Sequence, residues 1–137
     1  MAISDTKYKK YTFNSEGISK IKSDPNKGQN WPVVYILSGE KEAYVGETNN
    51  AYKRMGQHLE NNKRAVMNNI LLLLNDSFNK SATLDIENKL IQYMHADEKF
   101  ALQNENAGQS VQHNYYQRGL YEQCFQDIWN ELRRRKT

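Results

Sequence analysis

A chain of 137 residues, 38% hydrophobic and 26% charged, has material for one compact core and little more. Its longest apolar run, "ILLLL", is too short to span a bilayer, and "MAISDTKYKK" lacks an apolar signal core, so a cytoplasmic protein without membrane contact is expected. A single cysteine, Cys124, excludes an internal disulfide, three scattered histidines complete no Cys/His zinc cluster, and a net charge of +3 permits a nucleic-acid partner without requiring one.

Residues 1–30 are polar and lysine-rich and read as an N-terminal extension whose Tyr8, Tyr11, Phe13, Ile18 and Ile21 can pack on a core. From Trp31 the pattern sharpens. "WPVVYIL" and "EAYVGET" are strand candidates, rich in β-branched and aromatic residues. A two-residue type II′ turn at Gly39-Glu40 would make Tyr35 and Tyr44 direct cross-strand partners. Aromatic pairs are common sheet stabilisers, so packing and chemistry both stand open for them. Gly46 marks a bend or a close approach to the backbone.

Thr48 or Asn49 can cap a helix running through "AYKRMGQHLEN". Arg54 and His58 lie one turn apart on its surface, with Lys53 and Gln57 in a parallel row. That row is either a solvated face or a grip for phosphate. "NILLLL" reads as a strand buried on both faces, and a helix is expected over 82–96. There Glu87, Leu90, Ile91 and Met94 share one face, while Asp85 and Asn88 fall on the outer side. Glu87 is out of register for a capping box from Ser81 or Thr83. A carboxylate among aliphatic side chains needs a partner, either a buried arginine or a hard cation such as Mg²⁺. The polar segment "QNENAGQSVQHN" precedes a last helix over 116–135, with Leu120, Tyr121, Cys124, Phe125, Ile128, Trp129 and Leu132 as an apolar stripe. This order predicts an α+β fold: a small three-stranded antiparallel sheet flanked by helices.

The set Tyr35, Tyr44-Val45-Gly46, Arg54, His58 and Glu87 resembles a GIY-YIG nuclease domain, a family named for two tyrosine motifs on adjacent strands. "VVY" stands where the first motif has Gly-Ile-Tyr, and "YVG" is a conservative form of the second. The resemblance spans roughly 31–108 and places a nuclease core over 31–110, with a C-terminal helix at 111–137. It implies an endonuclease hydrolysing phosphodiester bonds in nucleic acid, DNA rather than RNA, with Mg²⁺ or Mn²⁺ held by Glu87. It further implies Tyr35 as general base, Tyr44 and His58 as its helpers, and Arg54 as the phosphate contact. The family's late asparagine is taken as Asn104, with Asn106 kept open. "NWPVVYIL", "YVGET", "FNKSATLDIENKLI" and "NYYQRGLY" are similar to the nuclease domain preceding P-loop ATPases of the DUF2075 type, which implies a possible further C-terminal ATPase domain. No Walker-type Gly-Lys-Ser/Thr loop occurs in these 137 residues.

A competing class is a non-catalytic nucleic-acid-binding module that uses Lys53, Arg54, Lys63, Arg64 and the basic end of the last helix on phosphates, with backbone approach at Gly46. A third is a docking domain that meets a partner through "NYYQRGLY".

Overall fold

The computed structural model describes residues 6–23, 30–104 and 118–135. Among the described residues, five strands form one sheet in the order β1-β4-β2-β3-β5. They are β1 (Lys7–Thr12), β2 (Val33–Ser38), β3 (Glu42–Thr48), β4 (Asn69–Leu74) and β5 (Ala101–Leu102). All neighbours run antiparallel except β3 and β5, which are parallel. Four helices cover it: α1 (Ser15–Lys22), α2 (Ala51–Leu59), α3 (Lys80–Asp97) and α4 (Arg118–Arg135). The fold is α+β, with two more strands than the three expected. One addition is β1, whose lysines and tyrosines give no clean alternation yet suit a charged edge strand. The other, β5, is only two residues long.

Alternation along the central strands divides the interior into two cores. Val33, Tyr35 and Leu37 of β2, with Ile70, Leu72 and Leu74 of β4, pack under Ile18 and Ile21 of α1 and Ala51 and Met55 of α2. Val34, Ile36, Leu71 and Leu73 point the other way, under α3 and α4. This explains why "NILLLL" is apolar throughout, since both faces of its strand are covered. The stripe on α4 is seated in the second core through Tyr121, Cys124, Phe125, Ile128 and Leu132, with Trp129 at its margin. The expected start of this helix at Tyr116, and most of "NYYQRGLY", lie outside the described residues, as does the side chain of Leu120.

Three local expectations are corrected. The hairpin turn spans 39–42, Gly39 N–H donating to the Glu42 carbonyl, so Ser38 pairs with Ala43, Leu37 with Tyr44 and Tyr35 with Gly46. The tyrosines are therefore diagonal neighbours on one face, not direct partners. The cap of α2 is Asn50, whose Oδ1 accepts from Lys53 N–H; Thr48 Oγ1 instead accepts from Asn50 N–H. On α3, capped by Asn79 and running past both ends of 82–96, Asp85 is buried and lies 3.5 Å from the Lys89 ammonium. Lysine one turn away lets a carboxylate sit where the apolar pattern alone would exclude it.

Candidate nucleic-acid cleavage site

Tyr35 occupies the middle of β2 with no solvent exposure, its ring lying over Gly46 of the adjacent strand. A Cβ on Gly46 would overlap the Tyr35 hydroxyl and ring carbons. The close approach expected at this glycine is thus made by the protein's own phenol. The Tyr35 oxygen lies 2.8 Å from His58 Nε2 and accepts from Arg54 Nε at 3.4 Å. Burial, and then the charges of Arg54 and Arg64, push His58 down to about 4, so its ring is neutral at physiological pH. With Arg54 occupying an acceptor position, the Tyr35 proton is assigned to the bond with His58, whose Nε2 accepts. Burial pushes the Tyr35 phenol well above its ordinary value, against the opposing pull of Arg54.

Asn50 starts α2 at the turn that places Arg54 and His58 on its inner flank. Arg54 also reaches Tyr44, and contact with the phenols, Tyr35 foremost, raises its already high pKa. Its Nη1 donates to Gln57 at 3.1 Å, and the guanidinium stays exposed. The Tyr44 ring stacks near Tyr35 with centroids 6.4 Å apart and meets the His58 ring edge-on at 5.0 Å. Tyr44 is half-buried and lines a cavity of about 340 Å³ together with Lys63, Arg64, Glu87 and Asn104.

Glu87 comes to this cavity from α3, on the opposite side of the sheet from Tyr35. Glu87 and Tyr44 share the cavity because β3 is nearly the last strand: beyond it lies only the two-residue β5. Burial first, and then the charge of Glu47, push the Glu87 carboxyl up to about 7. Among the described residues no lysine or arginine forms an ion pair with Glu87. Glu47 is differently placed, with both carboxylate oxygens 2.7 Å from Lys80 Nζ and a further bond from Thr83 Oγ1 at 3.4 Å. Sequence reasoning missed this neighbour, although Lys80, Thr83 and Glu87 at i, i+3 and i+7 mark one polar edge of α3.

Asn104 continues where β5 stops. Its Oδ1 accepts from Val45 N–H at 3.0 Å and its Nδ2 donates to Val45 O at 2.7 Å, closing the edge of β3 between Tyr44 and Gly46. Asn106 lies outside the described residues. Asn104→Ala is expected to leave both Val45 backbone groups without a protein partner and to cost about 1–2 kcal/mol. Faster hydrogen exchange at the Val45 amide, with the β2 amides unchanged, is the readout. Lys53 is exposed on α2 outside the cavity lining, whereas Lys63 and Arg64 form part of it.

A buried phenol bonded to a neutral histidine, an arginine touching two phenols and a half-buried carboxylate are thus gathered around β3. The family model described as the GIY-YIG catalytic domain matches residues 31–99, and the chain belongs to this family. Its members are generally endonucleases that cleave nucleic acid with the help of divalent metal ions. No curated protein and no solved structure matches the chain. Among the described residues, no helix is long and apolar enough to cross a membrane.

Proposed function

We propose that the protein is an endonuclease that hydrolyses phosphodiester bonds in DNA, and that the 2.8 Å contact between Tyr35 and His58 Nε2 supplies its general base. A phenol made harder to ionise by burial is a poor base if it must first become phenolate. A relay avoids that state. The Tyr35 oxygen takes a proton from the attacking water while its own proton passes to His58, leaving an imidazolium. The water oxygen bonds to phosphorus and the bond to the 3′ oxygen breaks. For water to reach that oxygen, Arg54 must leave it. The Arg54 contact is long, at 3.4 Å, and its guanidinium is exposed, so an incoming phosphate can draw it away. Arg54 then neutralises charge on a non-bridging oxygen.

The residues also fit a divalent ion. Among the described residues no three His, Cys, Asp or Glu side chains converge, but Mg²⁺ is commonly held by one carboxylate, waters and substrate phosphate. Glu87 offers a carboxylate that no cation pairs with among the described residues, bonded to the Glu47 backbone, while Lys80 occupies the Glu47 side chain. Bound there, Mg²⁺ or Mn²⁺ would offset phosphate charge and assist the leaving oxygen. The DUF2075-type arrangement, with an ATPase domain following, is carried only by the sequence resemblance.

The test is cleavage of plasmid and single-stranded DNA, and of matching RNA, with Mg²⁺ or Mn²⁺. Arg54→Ala is expected to slow cutting by about 10²–10³-fold. Tyr35→Phe and His58→Ala should lower the rate by similar factors, and their combination by little more than either alone, because they act as one unit. Additive losses would dismiss the relay, and undiminished cutting by Glu87→Ala would dismiss the metal assignment. The complete burial of Tyr35 favours a second reading, a domain that binds nucleic acid without cutting it; salt-sensitive binding with no cleavage in either metal would establish that one.

A further inference from the structure

Arginine 64 is an unexpected core residue. It ends a single 3₁₀ turn, Asn62–Arg64, after α2 and is only 8% exposed. Its guanidinium carbon stands 4.0 Å over the centre of the Tyr44 ring. Nη1 donates to Gln103 Oε1 at 2.8 Å, and Gln103 is itself fixed by bonds from its Nε2 to Lys63 O and Glu42 Oε1. Two features do not fit a structural arginine. No carboxylate pairs with it among the described residues. Its Nε is also a buried side-chain nitrogen with no hydrogen-bond partner. A buried cation lacking both a counter-charge and a full set of acceptors is costly, by more than stacking on one ring returns. The same side chain lines the cavity that holds Tyr44, Glu87 and Asn104, beside the exposed Lys63. An anion entering this cavity would supply what Arg64 lacks.

We propose that Arg64 binds a second phosphate of the substrate strand, the one adjacent to the phosphate at Arg54. The proposal rests on the endonuclease reading and narrows its substrate to a polynucleotide strand gripped at two consecutive phosphates. The charges of both guanidinium groups act on His58, and Tyr44 is touched by both. The strand would therefore run along the β3 edge, over the Tyr44 ring. Stacking on that ring fixes the plane of the Arg64 fork, and Gln103 fixes its rotation, so little side-chain freedom remains to be lost when phosphate binds.

The experiment measures binding of a fluorescently labelled single-stranded oligonucleotide by the intact chain in EDTA, at several KCl concentrations. Arg64→Met keeps much of the stacked volume and removes the charge. It is expected to weaken binding about tenfold and to lower the slope of log affinity against log salt by about one ion. Arg64→Lys should restore most of the slope, because the charge returns without the fork. Since substitution beside Tyr44 can also perturb folding, a second measurement uses the wild-type protein alone. The Arg64 Nε–H resonance should shift when a four-nucleotide strand is added and stay in place with a mononucleotide that fills only the Arg54 position. If the wild type binds and cuts, yet Arg64→Met keeps the full salt slope or the resonance does not move with the longer strand, this proposal is overturned and the endonuclease reading stands. If the wild type neither binds nor cuts, both fall.

Discussion

Glu87→Gln is expected to abolish cleavage while making the metal-free protein more stable at pH 8. The Glu87 carboxyl is pushed up from 4.5 to about 7 by burial and by the charge of Glu47. Because the folded-state value lies above the unfolded one, the folded chain holds this proton more tightly. The stability it contributes is therefore complete below about pH 4.5 and is lost as the pH rises through about 7. At pH 8 the folded protein carries the charge at a cost, which glutamine removes. The full shift would correspond to more, but the group is partly exposed and water screens it, so about 1 kcal/mol is expected. That corresponds to a rise in Tm of roughly 3 °C for a domain of this size. Thermal unfolding in EDTA at pH 8 should show the rise, and at pH 4.5 the variant and wild type should coincide. A variant that is less stable at pH 8 would mean that the bond from the Glu47 backbone and the nearby charges of Lys80 and Arg54 outweigh the cost of burial. Saturating Mg²⁺ should raise the Tm of the wild type and leave that of Glu87→Gln where it was.

Gly46→Ala is expected to destabilise the fold strongly and to remove activity at the same time. The new Cβ would meet the Tyr35 hydroxyl and ring, and Tyr35 is completely enclosed by the α1–α2 core. Overpacking of this kind costs about 3 kcal/mol. It also drives the phenol away from His58 and Arg54, so any folded remainder should be inactive. Urea unfolding measures the first effect. Pairing the change with Tyr35→Leu should recover part of the lost stability and none of the activity, because the two residues share one space. Equal losses in the single and double variants would show that the strands can separate to admit the methyl.

These two residues also show how far the sequence could be read. The three central strands, the double-sided burial of "NILLLL" and the placement of Glu87 on a packed face of α3 followed from periodicity and residue type alone. The hairpin register did not, because turns of two and four residues both suit "SGEKE" and both keep Tyr35 and Tyr44 on the same face. The faces were therefore right while the pairing was displaced. β1 was hidden because its sequence "KYKKYT" gives no clean alternation between inside and outside. The burial of Arg64 and Asp85 was hidden for a different reason: a charged residue reads as surface until its neighbours are known, and these include Tyr44 and Gln103 in one case and Lys89 in the other. Asn104 was chosen from its position, but its bidentate hold on Val45 depends on the parallel pairing of β5, which two residues cannot signal.

The division of β3 between two cores sets which errors the gene can tolerate. One codon inserted within the turn at 39–42 lengthens a loop and leaves Ala43, Tyr44 and Val45 each facing its own core. The same codon inserted between Tyr44 and Gly46 reverses the parity of everything beyond it. Gly46 would then face α3, and a bulkier neighbour would be driven onto Tyr35. Variation in hairpin length and constancy of spacing within "YVG" are thus the pattern of insertions and deletions that random mutagenesis of this protein should leave among its active survivors.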